Sequence, residues 1–252
     1  MSESYRQVGG GGHVVFGLHG WFGSAEAWGA LEPHLDGDEF TYVFVNCRGY
    51  GSRRGVAGEY SPAEVAADVL ELADSRGTAR FSLLGHSMGG KFMQEVYATA
   101  PDRVRAMVGV SPVPAGPVPF DDDGWALFSG AAEKPENRRA IIDLTTGNRH
   151  TDVWLDAMVR HSLEHSDPTA FAAYLHSWAR VDFHERVVGS TVPVKAIAGE
   201  HDPALGEAVM RGTFAEWYPK AEIEVMGNAG HYAMDETPVA LATSVETFLR
   251  RF

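Results

Sequence analysis

Cysteine is almost absent from this 252-residue chain, which contains Cys47 alone. One cysteine excludes a disulfide framework within the chain and a zinc site built on several thiolates. We therefore expect a protein of a reducing compartment, located in the cytoplasm. No apolar run approaches the roughly 18 residues that span a bilayer, and residues 1–6 lack the basic and apolar parts of a signal peptide. We expect no membrane partner.

Positive charge is also scarce. The chain has 21 Lys and Arg against 34 Asp and Glu, a formal net charge of −13, and no basic cluster larger than an arginine pair. A field of this sign repels phosphate backbones, so nucleic acid is not an expected partner. Hydrophobic residues, in contrast, make up 44% of the chain, which is ample for one large core.

Apolar segments alternate with helical patterns along most of the chain. Most of the predicted strands are continuous apolar runs and do not alternate between apolar and polar residues, which indicates a mostly parallel central sheet with helices on both faces, an α/β fold. The predicted strands are 5–8 at an edge, 13–18, 40–46, 81–84, 106–110, 192–198 and 223–226, and the predicted helices are 25–35, 62–74, 88–98, 205–217 and 237–252.

This alternation stops near Ser111 and resumes after Ser190. Four prolines between 112 and 119 prevent an immediate helix, and three amphipathic helices are predicted after them, at 138–144, 152–165 and 169–180. We therefore predict a core formed by residues 1–111 and 191–252. Residues 112–190 are predicted to form an inserted helical cap over the sheet.

Residues 85–89, Gly-His-Ser-Met-Gly, follow an apolar strand and precede a helix. In a strand, sharp turn and helix of this kind, the two glycines allow the backbone to approach its neighbours and the Ser87 hydroxyl projects from the turn. The N–H of Met88 then points to where negative charge would develop on a substrate. The alternative interpretation is a tight turn that serves packing alone. The residues at the ends of the other predicted strands must distinguish the two interpretations.

Polar residues also follow the other predicted strands, at the edge where ligands collect in open α/β sheets. They supply Asp202 and His231, which together with Ser87 are the residues of nucleophilic catalysis: a hydroxyl, a base that takes its proton and an acid that orients the base. As alternatives, Asp202 could be a helix cap and His231 an ordinary loop residue. The run Asp121, Asp122 and Asp123 is a second candidate for the acid.

The order Ser, Asp, His and five motifs make the chain similar to the α/β-hydrolase fold superfamily over nearly its whole length. It departs from many members at Asn46-Cys47, where they carry an aspartate. The resemblance implies a serine hydrolase without a cofactor, whose oxyanion hole consists of the N–H groups of Trp21 and Met88, with Phe22 a less favoured donor. The motifs are His19-Gly20-Trp21, Arg48-Gly49-Tyr50-Gly51-Ser52, Gly85 to Gly89, Gly199-Glu200-His201-Asp202, and Gly230-His231 with Glu236-Thr237-Pro238.

The expected substrate is a small, largely apolar carboxylic ester or lactone, cleaved through an acyl-serine intermediate. Aromatic and other large side chains of residues 112–190 suit an apolar pocket, and we predict that Phe22, Trp178, Trp154 and Met158 contact the substrate. C–C bond hydrolysis, perhydrolysis and lyase chemistry by the same residues stay open, as does a small-ligand receptor on this scaffold. The sequence does not indicate the oligomeric state.

A metal site is the remaining alternative. Residues 161–165 match H-x-x-E-H, which places His161 and His165 on one helical face at the spacing of a zinc-ligand pair. No third ligand follows at a recognisable spacing, so we predict no metal. Cys47 and His86 are interpreted as structural residues.

Overall fold

A seven-stranded sheet forms the centre of the computed structural model, which describes residues 4–252. The inner strands are buried almost throughout, as expected for apolar segments covered on both sides. The strands are β1 (Tyr5–Gly9), β2 (His13–Leu18), β3 (Phe40–Val45), β4 (Phe81–His86), β5 (Val104–Val110), β6 (Val194–Gly199) and β7 (Ala221–Met226).

The strand order is β1-β3-β2-β4-β5-β6-β7. Only β1 is antiparallel, paired with β3 at the edge, and the other strands are parallel to their neighbours. The predicted mostly parallel α/β sheet and its edge strand are therefore confirmed. Because parallel strands end on the same side, the loops after β2, β4, β6 and β7 meet at one edge of the sheet.

Helices surround this sheet. α1 begins where the sequence predicts, with the Ser61 hydroxyl accepting the Glu64 N–H at 3.1 Å. Within residues 4–252, no helix is both long and apolar enough to cross a membrane. The helices are α1 (Pro62–Ser75), α2 (Met88–Thr99), α3 (Asp122–Ser129), α4 (Pro135–Thr145), α5 (Asp152–His165), α6 (Pro168–Arg180), α7 (Glu207–Gly212), α8 (Phe214–Trp217), α9 (Ala233–Glu236) and α10 (Pro238–Leu249).

Four of these helices, α3 to α6, lie between β5 and β6 and form the helical insertion. Three of them match predicted helices, but α3 was not predicted from the sequence. It is short, and its first turn contains Asp122 and Asp123, which have low helix propensity. The Asp121 carboxylate accepts the Gly124 N–H at 2.7 Å and caps this helix.

Two predicted helices are wrong in their length. Residues 25–35 form two short 3₁₀ turns, Ala25–Trp28 and Glu32–His34, separated at Gly29, a weak helix former. The segment 205–217 is divided into α7 and α8 by Thr213, whose φ of −129° and ψ of −77° lie outside the helical region.

Candidate active site

Ser87 occupies the sharp turn between β4 and α2, as the sequence predicts. Its φ of 51° and ψ of −117° are unusual for a residue other than glycine, and such a backbone costs on the order of 1–3 kcal/mol. Backbone hydrogen bonds hold it there: its N–H donates to Val110 at 3.0 Å, and its carbonyl accepts from Gly90 at 2.8 Å and Val113 at 2.9 Å. Its hydroxyl does not cap α2 and is free for chemistry.

The glycines on either side of Ser87 are required by close approach. A Cβ atom on Gly85 would lie 2.5 Å from the Gly89 carbonyl oxygen, and one on Gly89 would overlap the Leu18 carbonyl oxygen. Both positions therefore exclude side chains, because strand, turn and helix pack backbone against backbone. This is the reason for the glycine pattern that the sequence shows.

His231 and Asp202 are brought together by the loops after β7 and β6. The ring Nδ1 of His231 donates to Asp202 Oδ2 at 2.7 Å, and both residues are buried. Asp202 Oδ1 accepts the N–H groups of Ala204 at 2.9 Å and Leu205 at 3.1 Å. With the proton on Nδ1, the His231 Nε2 is left with a lone pair that can accept a proton.

The Asp202 carboxylate is stabilised in its charged form. Burial by itself raises its pKa, but the charge of His231 and the hydrogen bonds from His231, Leu205 and Ala204 outweigh it, and the net pKa is lowered. An ionised acid beside the ring can stabilise an imidazolium that forms during a reaction.

The loop that carries His231 is held by a residue to which the sequence assigned no role. Glu236, whose side chain is only 2% exposed, accepts the N–H of Gly230 at 2.8 Å and of Tyr232 at 3.0 Å. His86 Nε2 donates to the His231 carbonyl at 2.9 Å, and burial lowers the pKa of His86 to about 3. His86 is therefore a neutral supporting residue, as predicted.

The loop after β2 contains the predicted oxyanion donor Trp21. The Cys47 N–H donates to Nε2 of His19 at 3.2 Å, so the His19 proton is on Nδ1, which donates to the Gly20 carbonyl at 2.8 Å. Burial lowers the pKa of His19 to about 4 and keeps it neutral. Because the Gly20 carbonyl and the Trp21 N–H belong to one peptide unit, this hydrogen bond sets the direction of the N–H.

Trp21 is further fixed from both sides. The Tyr50 hydroxyl donates to its carbonyl oxygen at 2.9 Å, and its indole N–H donates to the Phe171 carbonyl of α6 at 2.8 Å. The loop also lies directly against Ser87, since a Cβ on Gly20 would be 3.3 Å from the Cβ of Ser87. Sequence reasoning missed Tyr50 and Phe171 because both act across long separations in the chain.

Ser87 and His231 line one cavity of about 200 Å³ between the sheet edge and the helical insertion. Its walls carry no Lys, Arg, Asp or Glu side chain within the described part of the chain, and most of the surface is apolar. The residues that line it are Trp21, Phe22, His86, Ser87, Val113, Val118, Pro119, Phe120, Phe128, Ile141, Leu144, Thr145, Trp178, Ala204, Leu205, His231 and Tyr232.

The structure brings two of the four predicted substrate-contacting residues into this cavity, Phe22 and Trp178. It places the other two elsewhere. Trp154 packs on His150, with ring centroids 4.3 Å apart, and Met158 lines a neighbouring groove of about 280 Å³. The cavity that holds Ser87 is therefore formed by α3, α4 and α6 rather than by α5.

The other residues that the sequence offered for the acid or for a metal site have different contacts. Asp121, a candidate for the acid, caps α3, and His231 is hydrogen-bonded to Asp202 rather than to Asp121. The rings of His161 and His165 stack at 4.2 Å, and His161 Nε2 lies 3.1 Å from the Ser24 hydroxyl. Among residues 4–252, no group of three or more His, Cys, Asp or Glu side chains could hold a metal ion.

Burial raises the pKa of the Cys47 thiol to about 12, which suits an inert structural residue.

Known proteins share this architecture. The chain is 26% identical over 241 residues to esterase YbfF of Escherichia coli, covering 92% of this chain and 91% of that protein. It is 24% identical to a 2-hydroxy-6-oxononadienedioate/2-hydroxy-6-oxononatrienedioate hydrolase of Burkholderia vietnamiensis, covering 98% and 90%. The solved structure of an esterase from Exiguobacterium antarcticum has the same fold, with a TM-score of 0.87, 17% identity and coverage of 98% and 94%.

The family itself follows from the extent of the match. The model of the alpha/beta hydrolase fold family matches residues 13–238, a span that includes the loops of Trp21, Ser87, Asp202 and His231. This chain belongs to the alpha/beta hydrolase fold family.

Proposed function

We propose that this protein is a serine hydrolase that cleaves a small, neutral carboxylic ester or lactone through an acyl-serine intermediate. One observation carries the proposal: Ser87 and the Asp202-bound His231 line the same apolar cavity. In this proposal Ser87, His231 and Asp202 form the catalytic triad, and the helical insertion acts as a cap that selects the substrate.

Acylation begins when His231 Nε2 takes the proton of the Ser87 hydroxyl and the oxygen attacks the substrate carbonyl carbon. Asp202 stabilises the imidazolium that forms. The N–H groups of Met88 and Trp21 donate to the oxyanion, and one such donor typically lowers the barrier by about 3 kcal/mol.

The imidazolium of His231 then gives its proton to the departing alkoxide, which leaves as the alcohol, or stays attached through the acyl chain in a lactone. Water attacks the acyl group on Ser87, with His231 Nε2 taking the proton of that water. Collapse of the second oxyanion releases the carboxylic acid and returns the proton to Ser87.

The cavity wall favours a neutral acyl group. A buried carboxylate without a partner costs several kcal/mol, and no Lys or Arg in this cavity could pair with one. The Burkholderia relative is named for a dioate, a substrate with two carboxylate groups. Within the described part of the chain, this cavity has no Lys or Arg that could pair with such carboxylates, so we place an uncharged ester or lactone ahead of C–C bond cleavage of a dicarboxylate.

A substrate panel tests the proposal. It contains nitrophenyl esters of short, medium and long acyl chains, lactones, and a carboxylated vinylogous diketone, with hydrogen peroxide added in a separate arm. We expect kcat at or above about 1 s⁻¹ on a neutral ester or lactone. Faster turnover of the diketone would replace the proposed ester hydrolysis with C–C bond hydrolysis. Peracid formation as the main activity would indicate perhydrolysis, and ligand binding without turnover would indicate a receptor.

Variants locate the chemistry. Ser87→Ala and His231→Ala are each expected to abolish turnover, because the residues act as a unit. Ser87→Ala is also expected to abolish labelling by a fluorophosphonate. The matched control is Ser75→Ala, an exposed serine at the end of α1. Unchanged ester turnover by folded Ser87→Ala protein would refute the assignment of the nucleophile.

A further inference from the structure

Lys91 is a fully buried lysine on α2, four residues after Ser87. Its amino group uses all three of its donors on backbone carbonyls: Gly116 at 2.9 Å, Trp178 at 2.8 Å and Val181 at 2.5 Å. The described chain gives it no hydrogen-bonded carboxylate. A buried lysine without a hydrogen-bonded carboxylate is costly, so the presence of Lys91 at a buried position of α2 requires an explanation.

The three carbonyls belong to the two ends of the helical insertion. Gly116 lies on the segment that leads from β5 to α3, whereas Trp178 and Val181 lie at the end of α6, where the chain returns towards β6. These two segments also bind each other, through Val118 N–H to Ala179 at 2.9 Å and Phe183 N–H to Ala115 at 3.2 Å. Lys91 therefore joins a paired junction to the helix that follows the nucleophile.

The junction includes a wall of the cavity. The backbone carbonyl of Trp178 accepts from Lys91, and the indole ring of the same residue lines the cavity. The centroid of this ring lies 5.5 Å from that of Trp21 and 5.9 Å from that of Phe128. A shift of the α6 end would move the Trp178 ring relative to Ser87. The two carboxylates near the junction have other partners: Asp182 binds the His184 ring at 2.7 Å, and Glu95 accepts from Arg186 at 2.7 Å.

We propose that Lys91 is a positioning residue that fixes both ends of the helical insertion to α2 and thereby sets the distance of the Trp178 wall from Ser87. It selects substrates by holding the cavity at one size, and it takes no part in bond making. The proposal rests on the proposed function only in treating this cavity as the substrate site.

The test uses Lys91→Met, which keeps an unbranched side chain, one heavy atom shorter than lysine, and removes all three donors. Lys195→Met is the matched control, since Lys195 lies on β6 and pairs with Glu224. Hydrogen exchange is measured by mass spectrometry for peptides that cover 113–121 and 176–184. We expect exchange in both peptides to become at least about tenfold faster in Lys91→Met and to stay at the wild-type rate in Lys195→Met.

Kinetics supply the second readout. In Lys91→Met we expect KM for a long-chain ester to rise about tenfold, with kcat for a short-chain ester and fluorophosphonate labelling of Ser87 unchanged. Equal exchange and equal KM in the two variants would overturn the proposal. If no ester is turned over by the wild type, the exchange result still decides the role of Lys91, so failure of the two proposals can be told apart.

Hydrogen exchange of the wild-type protein is a third measurement, and it does not depend on whether a variant folds. The amides of Val118 and Phe183 at the junction are expected to exchange at least about tenfold more slowly than those in the middle of α5, because the junction is the fixed part of the insertion. Faster exchange at the junction than in α5 would refute the role assigned to Lys91.

Discussion

Replacing Lys91 by methionine is expected to flatten the rise of stability with pH above neutrality. Burial lowers the pKa of Lys91 from 10.5 to about 7 in the folded protein, an effect that the Asp182 carboxylate opposes. The unfolded chain holds this proton to about pH 10.5, whereas the folded chain releases it near pH 7. Between these values the unfolded state binds more protons, so the free energy of unfolding rises with pH.

The size of the effect follows from the two pKa values. One pKa unit corresponds to about 1.4 kcal/mol, so between about pH 7 and about pH 9 the wild type gains about 2 kcal/mol from Lys91. This contribution is complete above the unfolded pKa and is lost as the pH falls towards 7. Lys91→Met lacks it, because methionine does not titrate.

Urea unfolding of both proteins across this pH range measures the difference. Lys91→Met is expected to be less stable at every pH, since the backbone carbonyls that accept from Lys91 lose their donors, so the slope with pH is the quantity to compare. All other side chains are the same in both proteins, so their contributions to the slope cancel in the comparison. Lys195→Met is expected to keep the wild-type slope, and a wild-type slope in Lys91→Met would refute the reasoning.

Two further predictions concern the walls of the site. Tyr50→Phe removes the hydrogen bond to the Trp21 carbonyl, and we expect kcat to fall about fivefold, equivalent to about 1 kcal/mol, with KM unchanged. Lower thermal stability with unchanged kcat would contradict a role in orienting the loop. Trp178→Ala is expected to shift preference in steady-state kinetics towards bulkier acyl groups, because the ring lines the cavity, while fluorophosphonate labelling stays at the wild-type rate. Loss of labelling would place Trp178 among the residues that support the nucleophile or the fold.

The sheet could be predicted because its strands are locally distinct. Segments such as Phe40–Val45 are rich in aromatic and β-branched residues, and this pattern needs no information from the rest of the chain. The helices were predicted less well where tertiary contacts decide. Residues 25–35 have helical spacing but form two 3₁₀ turns, one of them anchored by the Asn46 side chain, which accepts the Ala25 N–H at 2.8 Å.

In the candidate site, too, local sequence patterns could be interpreted but contacts made by folding could not. The positions of Ser87, Asp202 and His231 could be predicted from motifs at strand ends, although their chemical roles stay proposals. The contacts of His19, Tyr50 and Glu236 could not, because each depends on a hydrogen bond to a loop brought near only by folding. The sequence also could not show that Trp154 and Met158 lie outside the cavity of Ser87, because helical spacing shows that α5 is amphipathic but not which cavity its faces border. Their contact with a substrate stays a prediction.

The backbone conformation of Ser87 lowers the stability of the fold at the position where the proposed activity needs a side chain. A non-glycine residue with φ of 51° costs the folded state on the order of 1–3 kcal/mol, and glycine would adopt this conformation without that cost. If stability of the fold alone decided, glycine would therefore be favoured at position 87. The stability of the fold therefore does not explain why a side chain stands at this point.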